Sequence, residues 1–413
     1  MKVKSMPDVS VLEVVLHGEP IGTLTLIPGD RTLLAFDDAY IANARRPTLS
    51  LSFKDAFGGL LAGDRPTQAR VPPFFANMLP EGSMRDYLAE RAGVNPQREF
   101  FLLWVLGRDL PGAVTVRPAD GEAWPPPDDG NADEDDKVSR RRKALRFSLA
   151  GVQLKFSAVM EAAGGLTIPA QGVGGAWIVK LPSLQFQGVP ENEYAMMSLA
   201  KAIGMDVPDV QLIALEKIEG LPEGLGTAKG PALAVKRFDR TSDDGPVHME
   251  DFAQVFGVFP EAKYKKASYG NMAAVVAAES GERDIEEFVR RLVFSVLIGN
   301  ADMHLKNWSL VYPDRRNARL APAYDFVSTI PYIPDTKAAL TLGRTKRMDE
   351  FSKAELTYFA GKARLSEKLV LDTAAQTVAR FHEVWRAEKN DRLSKNLAAA
   401  IEAHLKTVPL AHQ

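Results

Sequence analysis

The chain contains no cysteine in its 413 residues, which excludes disulfides, thiolate nucleophiles and cysteine-ligated metals together and suits a reducing compartment. Long apolar runs are missing as well. A membrane-spanning helix needs about 18 uninterrupted apolar residues, and every stretch here is far shorter. The start, MKVKSMPDVSVLEVVLHGE, carries lysines, but Glu13 interrupts its apolar stretch, which predicts a strand and not a signal peptide. A soluble, cytoplasmic protein with no membrane partner is expected. An excess of one charge is also absent: 51 Lys and Arg meet 53 Asp and Glu, a net charge of −2, and that balance calls for neither nucleic acid nor an anionic surface. His17, His248, His304, His382, His404 and His412 never fall at metal-ligand spacing, which argues against zinc. No internal repeat is visible.

With 46% apolar residues and a length beyond one ordinary core, two or three domains are expected. Residues 1–116 predict a small α+β unit. Residues 9–27 alternate apolar with polar around Gly18-Glu19-Pro20, the pattern of a β-hairpin, and further strands are expected at 33–36, 49–53 and 113–116. Residues 72–93 read as a helix in two pieces broken at Pro80, and 99–107 as a strongly apolar helix. No catalytic set is evident in this unit. Residues 117–143 combine consecutive prolines, an acidic run and the basic Arg140-Arg141-Arg142-Lys143. Such a segment buries too little apolar surface to order itself, so it predicts a linker or loop. Its basic run reads either as a solvated counterweight to the acids or as a phosphate contact.

Residues 144–245 begin with strand, turn, strand at 147–159 and 164–168, with small residues at the turn. A strand carrying Lys180 follows at 176–182, then a helix over 192–203 opened by Glu191 and Glu193, then a strand over 232–239. That is the order of parts in the small lobe of a protein kinase. Residues 246–413 are mostly helical, at 250–256, 269–279, 285–298, 353–362, 367–389 and 392–406, with short strands at 309–312 and 319–321. The expected fold class is α+β, a protein-kinase-like two-lobe fold with an additional small N-terminal α+β domain.

The stretch from Gly299 to Trp308 places an acid, an imidazole, an ammonium and a carboxamide behind an apolar helix. Ile285, Phe288, Val289, Leu292, Val293, Val296 and Leu297 recur at the spacing of one buried helix face. Gly299 is the expected C-cap. A buried helix ending at a glycine presents the following loop rigidly, a position from which side chains do chemistry.

Phosphoryl transfer needs a base or orienter for the attacking hydroxyl, oxygen ligands for Mg2+, a cation on the phosphates and a loop over them. In the kinase pattern an Asp precedes a metal-binding Asn by five residues, and a second metal-binding Asp follows a short β segment. Asp302 and Asn307 have that spacing, and Asp325 lies 18 residues further on. Lys180 supplies the cation and the turn Ala150-Gly151-Val152-Gln153 the loop. Each signal alone is weak; their order on matching elements is the argument. His304 reads equally as a loop-stabilising residue, and Glu193 either as a helix-start acid favoured by the macrodipole or as the ion-pair partner of Lys180. Ser198-Leu199-Ala200-Lys201 matches the S-x-x-K of penicillin-recognising hydrolases, but S-D-N, K-T-G and G-x-S-x-G are all absent from the chain.

Over nearly its whole length the chain resembles the HipA-type serine/threonine kinases, toxins of bacterial toxin–antitoxin pairs. The resemblance rests on IGTL, RPTLSLSF, FFANMLPEG and GRDLPGAVTV in the first unit. It continues through SLAGVQLKF, WIVKLP, ENEYAMMSLA, AVKRFDR, EDFAQVFG, NADMHLKN and PAYDF. It implies that Asp302 is the catalytic Asp, that Asn307 and Asp325 bind Mg2+, and that Lys180 contacts ATP phosphates. It implies also that Ala150, Gly151, Val152, Gln153 and Lys155 cover those phosphates, that Lys236, Arg237 and Phe238 form the hinge beside adenine, and that His304 and Tyr324 line the nucleotide site. Ser148 matches the family's autophosphorylated serine. The implied partners are an aminoacyl-tRNA synthetase as substrate and a HipB-like helix-turn-helix antitoxin, through which operator DNA is bound, with the complex nucleoid-associated. The 117–143 segment matches no family element. Two other readings stand beside this one: a small-molecule or lipid phosphotransferase, since D-x-H-x-x-N also resembles lipid kinases, and a silent scaffold acting as corepressor.

Overall fold

The computed structural model describes residues 9–61, 66–68, 70–120, 155–160, 165–168, 175–183, 185–221, 229–241, 245–333 and 337–412. The expected turn of the first hairpin is displaced by one residue. Val11–Leu16 (β1) and Glu19–Ile27 (β2) are joined through His17 and Gly18, both at positive φ, the conformation whose twist matches two antiparallel strands. Arg31–Phe36 (β3), Thr67–Gln68 (β4) and Val114–Pro118 (β5) complete an antiparallel sheet of order β4-β3-β2-β1-β5. Residues Pro73–Ala76 and Gly82–Ala92 are the two expected helical pieces around Pro80, and Glu99–Leu106 is a wholly buried helix.

Lys155–Met160 (β6), Leu166–Thr167 (β7), Trp177–Lys180 (β8), Val210–Ile213 (β9), Ile218–Glu219 (β10) and Ala232–Lys236 (β11) form a second sheet, ordered β10-β7-β6-β8-β11-β9. Its register sets Lys155 directly across from Lys180. A third, small sheet joins His248–Asp251 (β12), Ser309–Tyr312 (β13) and Arg319–Leu320 (β14).

Two local expectations are corrected. Residues 49–53 alternate like a strand, yet Leu51–Phe53 is a 3-10 turn: the Ser50 hydroxyl accepts from the Ser52 N–H and donates to Glu250 Oε2 at 2.5 Å. Residues 250–256 are helical only from Phe252. His248–Asp251 pairs instead with Ser309–Tyr312, and Asp251 caps the short helix that follows, its carboxylate accepting from the Gln254 N–H at 2.8 Å.

Two apolar cores hold these parts. One runs continuously from the N-terminal sheet and its helices into the six-stranded sheet, through Leu103, Trp104, Phe156 and Val179. The other is built around helix Glu282–Leu297, which packs on Glu367–Arg392, and takes in Met196 and Met197 from helix Val189–Ala202. Glu193, three and four residues before these methionines, lies on the same buried face of that helix. Among the described residues no helix is long and apolar enough to cross a membrane.

Candidate active site

The loop after Glu282–Leu297 is fixed at its root by Gly299. Its φ is +65°, and its N–H reaches Val296 O at 3.1 Å while the Asn300 N–H reaches Ser295 O at 2.8 Å, closing the helix end. A Cβ on Gly299 would stand 2.8 Å from the Ile330 side chain, so both backbone and packing demand glycine. Thr329 then pins the exit, donating its hydroxyl to Gly299 O and accepting from the Ala301 N–H.

Within the loop, Asn307 Nδ2 donates to Asp302 O at 2.8 Å, bringing together the two residues that the spacing singled out. Asn300 Oδ1 accepts from the Asp302 N–H, and His304 Nδ1 from the Lys306 N–H. The Asp302 side chain is exposed and accepts a hydrogen bond from Tyr264 Oη at 2.6 Å. Desolvation raises its pKa, with the Tyr264 hydrogen bond opposing. His304 is buried, and burial with the charges of Lys263 and Lys306 pushes it down to about 3, so it stays neutral.

Lys180 sits at the end of β8 with only 6% exposure. Its ammonium bonds Glu193 Oε1 at 2.5 Å and also Asp325 Oδ1. Glu193 is therefore an ion-pair partner and not merely a helix-start acid. Burial would lower Lys180 and raise Asp325, but each outweighs that for the other: the ammonium is held above its ordinary range and the Asp325 carboxyl well below its own. Asp325 takes φ +57°, a left-handed conformation, while Phe326 beside it is fully buried 5.0 Å from Phe294. An anchored phenylalanine next to a strained aspartate fixes that carboxylate.

Lys155 is half-buried across from Lys180, and burial pushes its ammonium down to about 8. Tyr324 Oη donates to Lys306 O at 2.9 Å and its ring lies 5.8 Å from that of Phe238. Lys236 is exposed, with its N–H on Asp209 O. Arg237 is buried and spends its guanidinium on Asp239 at 2.8 Å and Asp109 at 3.1 Å, which leaves that side chain in an ionic knot with the N-terminal unit and not facing a ligand. Ser148, Ala150, Gly151, Val152 and Gln153 lie outside the described residues, as does most of 117–143.

Sequence reasoning missed four residues around this loop. Glu81 of the N-terminal unit bonds Lys306 Nζ at 2.7 Å and Lys263 Nζ at 2.9 Å, and Lys306 also reaches Asn77 O. Tyr264 covers Asp302. Lys306 and Glu81 lay within stretches already singled out, NADMHLKN and FFANMLPEG, but without a role; Lys263 and Tyr264 carry no local pattern, and their roles arise from folding alone.

The donor set suits a hard cation. Asp325 is an ionised carboxylate, and Asn307, its amide nitrogen already used, retains a carbonyl oxygen as acceptor. Among the described residues no three His, Cys, Asp or Glu side chains cluster as a metal site. Mg2+ differs from cage-bound metals in taking one or two protein oxygens and completing its shell with phosphates and water. An acid at a loop, a lysine bridged between two carboxylates and two oxygen ligands can together bind and orient a phosphate chain against a hydroxyl.

Comparison with known proteins points the same way. The family model described as HipA N-terminal domain matches residues 12–117, and that described as HipA-like C-terminal domain matches 147–385. The chain is 59% identical to "Putative kinase Y4dM" of Sinorhizobium fredii over 98% of both proteins. It is 26% identical to the serine/threonine-protein kinase toxin HipA of Shewanella oneidensis over 64% of this chain and 65% of that one. In structure it superposes on the Shewanella oneidensis complex of HipA, HipB and operator DNA with a TM-score of 0.72, at 22% identity, covering 97% of this chain and 96% of that one. The fold is thus the mixed α/β HipA fold with a separate N-terminal β-rich part, and the chain belongs to the HipA family of kinase-like proteins.

Proposed function

We propose that the chain is an ATP- and Mg2+-dependent protein serine/threonine kinase of HipA type. The observation that carries this reading is the buried Lys180 ammonium bridged between Glu193 and Asp325. A buried lysine with two anionic partners and a second lysine-bearing strand alongside is a seat for polyanionic phosphate.

In this reading Lys180 and Lys155 hold the non-transferred phosphates, and Asn307 and Asp325 hold Mg2+, which neutralises charge on the phosphate oxygens. Asp302 orients the acceptor hydroxyl. The hydroxyl oxygen attacks the γ-phosphorus, the bond to the β–γ bridging oxygen breaks, ADP leaves with the electron pair, and the proton passes to Asp302. The raised basicity of Asp302 favours that last step. Lys236, the backbone of Arg237 and Phe238 flank the base, with His304 and Tyr324 lining the nucleotide side.

Ser148 is the proposed autophosphorylation site. A dianion inside the turn meant to cradle phosphates repels them, so the modification switches the enzyme off. The proposed substrate is an aminoacyl-tRNA synthetase, whose modification arrests translation, and the proposed partner is a HipB-like antitoxin. Because this chain has a net charge of −2, the antitoxin is the proposed source of most of the affinity for operator DNA.

Purified protein with labelled ATP and Mg2+ tests this reading. Label should appear on Ser148 and be abolished by Asp302→Asn and by Asp325→Ala. Retention of nucleotide binding without any transfer by the wild type would sink it in favour of a scaffold. Phosphoproteomics of cells arrested by expression identifies the substrate, and harmless expression without antitoxin counts against toxicity.

A further inference from the structure

Three tyrosines bond to the Asp302 loop, and they do not bond alike. Tyr269 is buried and donates to Met303 O at 2.8 Å; Tyr324 is half-buried and donates to Lys306 O at 2.9 Å. Both hold backbone, and both suffice as struts. Tyr264 is 37% exposed, and its hydroxyl goes to the Asp302 carboxylate itself, 2.6 Å from Oδ1. Its ring stands edge-on to His304, centroids 4.9 Å apart, and its carbonyl accepts from Lys346 Nζ at 3.2 Å.

We propose that Tyr264 occupies the seat of the acceptor hydroxyl at Asp302 Oδ1 and thereby keeps water from that oxygen until a protein hydroxyl displaces it. This rests on the reading of Asp302 as the base. A base must lie about 2.6–3.2 Å from the oxygen whose proton it takes, and the phenol oxygen already stands at that distance from Asp302 Oδ1. A group whose task is to orient a carboxylate is held by packing; this ring is open to solvent and leaves by side-chain rotation without disturbing the core. Its backbone stays in place, because the Leu305 N–H reaches Lys263 O at 3.4 Å and Lys346 holds its carbonyl. The phenol also stays protonated, since desolvation and the Asp302 charge raise its pKa, so it is a lasting donor at that oxygen.

The chemical consequence is discrimination between water and hydroxyl acceptors. Without the phenol, a water oxygen at Asp302 attacks the γ-phosphorus of ATP, the bond to the bridging oxygen breaks, ADP and inorganic phosphate leave, and the water proton goes to Asp302. With the phenol seated, that unproductive hydrolysis is suppressed.

The test uses the full chain with ATP and Mg2+ and no added protein. Tyr264→Phe should release inorganic phosphate roughly tenfold faster than wild type, the low end of what a hydrogen bond to a charged group is worth. Asp302 in the variant should also react faster with a water-soluble carbodiimide, read by peptide mass spectrometry, with or without nucleotide. Asp302→Asn combined with Tyr264→Phe should show no rise in hydrolysis. Either unchanged carbodiimide labelling, or unchanged or slower hydrolysis in Tyr264→Phe while the wild type hydrolyses ATP faster than Asp325→Ala, overturns the proposal and makes the phenol an orienting group. Failure of the kinase reading looks different: wild type and Tyr264→Phe would then hydrolyse ATP no faster than Asp325→Ala, while the label at Asp302 still distinguished them. Tyr264→Ala should behave as Tyr264→Phe does, separating loss of the hydroxyl from a change in ring packing.

Discussion

Glu81 Oε1 accepts a hydrogen bond from Lys306 Nζ at 2.7 Å, joining the N-terminal unit to the loop of Asp302 across 225 residues of chain. Burial alone would raise the Glu81 carboxyl, but Lys306 and Lys263 outweigh it and hold it at about 2 against an ordinary 4.5. Glu81→Gln leaves two mostly buried ammonium groups without their anion. It should cost about 2 kcal/mol of stability and lower kcat several-fold with a smaller change in nucleotide KM, because the loop and not the phosphate seat is loosened. The folded pKa lies below the unfolded one, so the contribution is complete above about pH 4.5 and disappears as pH falls towards 2. Denaturant melts at pH 5 and pH 3 should show a smaller acid loss in Glu81→Gln than in wild type.

Gly299→Ala should be unusually damaging for a methyl group. The φ of +65° and the 2.8 Å approach to Ile330 act together, and relief of one does not relieve the other. A loss of about 2–3 kcal/mol is expected, read as a lowered denaturant midpoint with an unchanged m-value. Ile330→Ala should recover only the part due to contact, leaving the backbone strain.

Glu250 is fully buried where the first unit meets the third sheet, and accepts from Ser50 Oγ, the Leu51 N–H at 2.9 Å and Tyr312 Oη. Burial pushes its carboxyl up to about 7 against an ordinary 4.5, with those donors opposing. A raised carboxyl pKa means that the native state binds the extra proton. Stability from this group is therefore greatest at acid pH and falls as pH rises from about 4.5 to 7, by about 3 kcal/mol in all. Glu250→Gln should flatten that limb of the stability–pH curve. An identical slope in the variant would locate the titration elsewhere.

The parts of the site carried by local pattern were legible in the sequence. The helix face before Gly299, the Asp302 to Asn307 spacing and the lysine on β8 all follow from periodicity and order along the chain. What was not legible came from distant partners. Ser50 leaves a strand pattern because Glu250, far along the chain, takes its hydroxyl, and β12 forms because Ser309–Tyr312 offers it an edge. Arg237 sits where a hinge is expected, yet Asp109 and Asp239 claim its guanidinium. Tyr264 has no neighbours in sequence that mark it, and Glu81, though within FFANMLPEG, has no legible role because its partners Lys263 and Lys306 are assembled only when the units meet.

Lys155 gives a proton-linked signature of the phosphate seat. Burial and the nearby Lys180 and Lys306 charges push its ammonium down to about 8 from 10.5, with Asp325 and Glu193 opposing. In the absence of nucleotide the group is thus part-neutral at slightly alkaline pH. A triphosphate placed against it favours the charged form, so ATP binding should take up a proton most strongly just above pH 8 and affinity should weaken as pH rises further. Titration calorimetry at pH 8.5 in buffers of different ionisation enthalpy should show this uptake in wild type and its loss in Lys155→Met, which should also bind ATP more weakly at pH 7. For stability the sign is opposite: the unfolded chain holds the proton between about 8 and 10.5 and the folded chain does not, so the wild type gains stability across that window relative to Lys155→Met. Buffer-independent binding heats in the wild type would place Lys155 outside the phosphate seat.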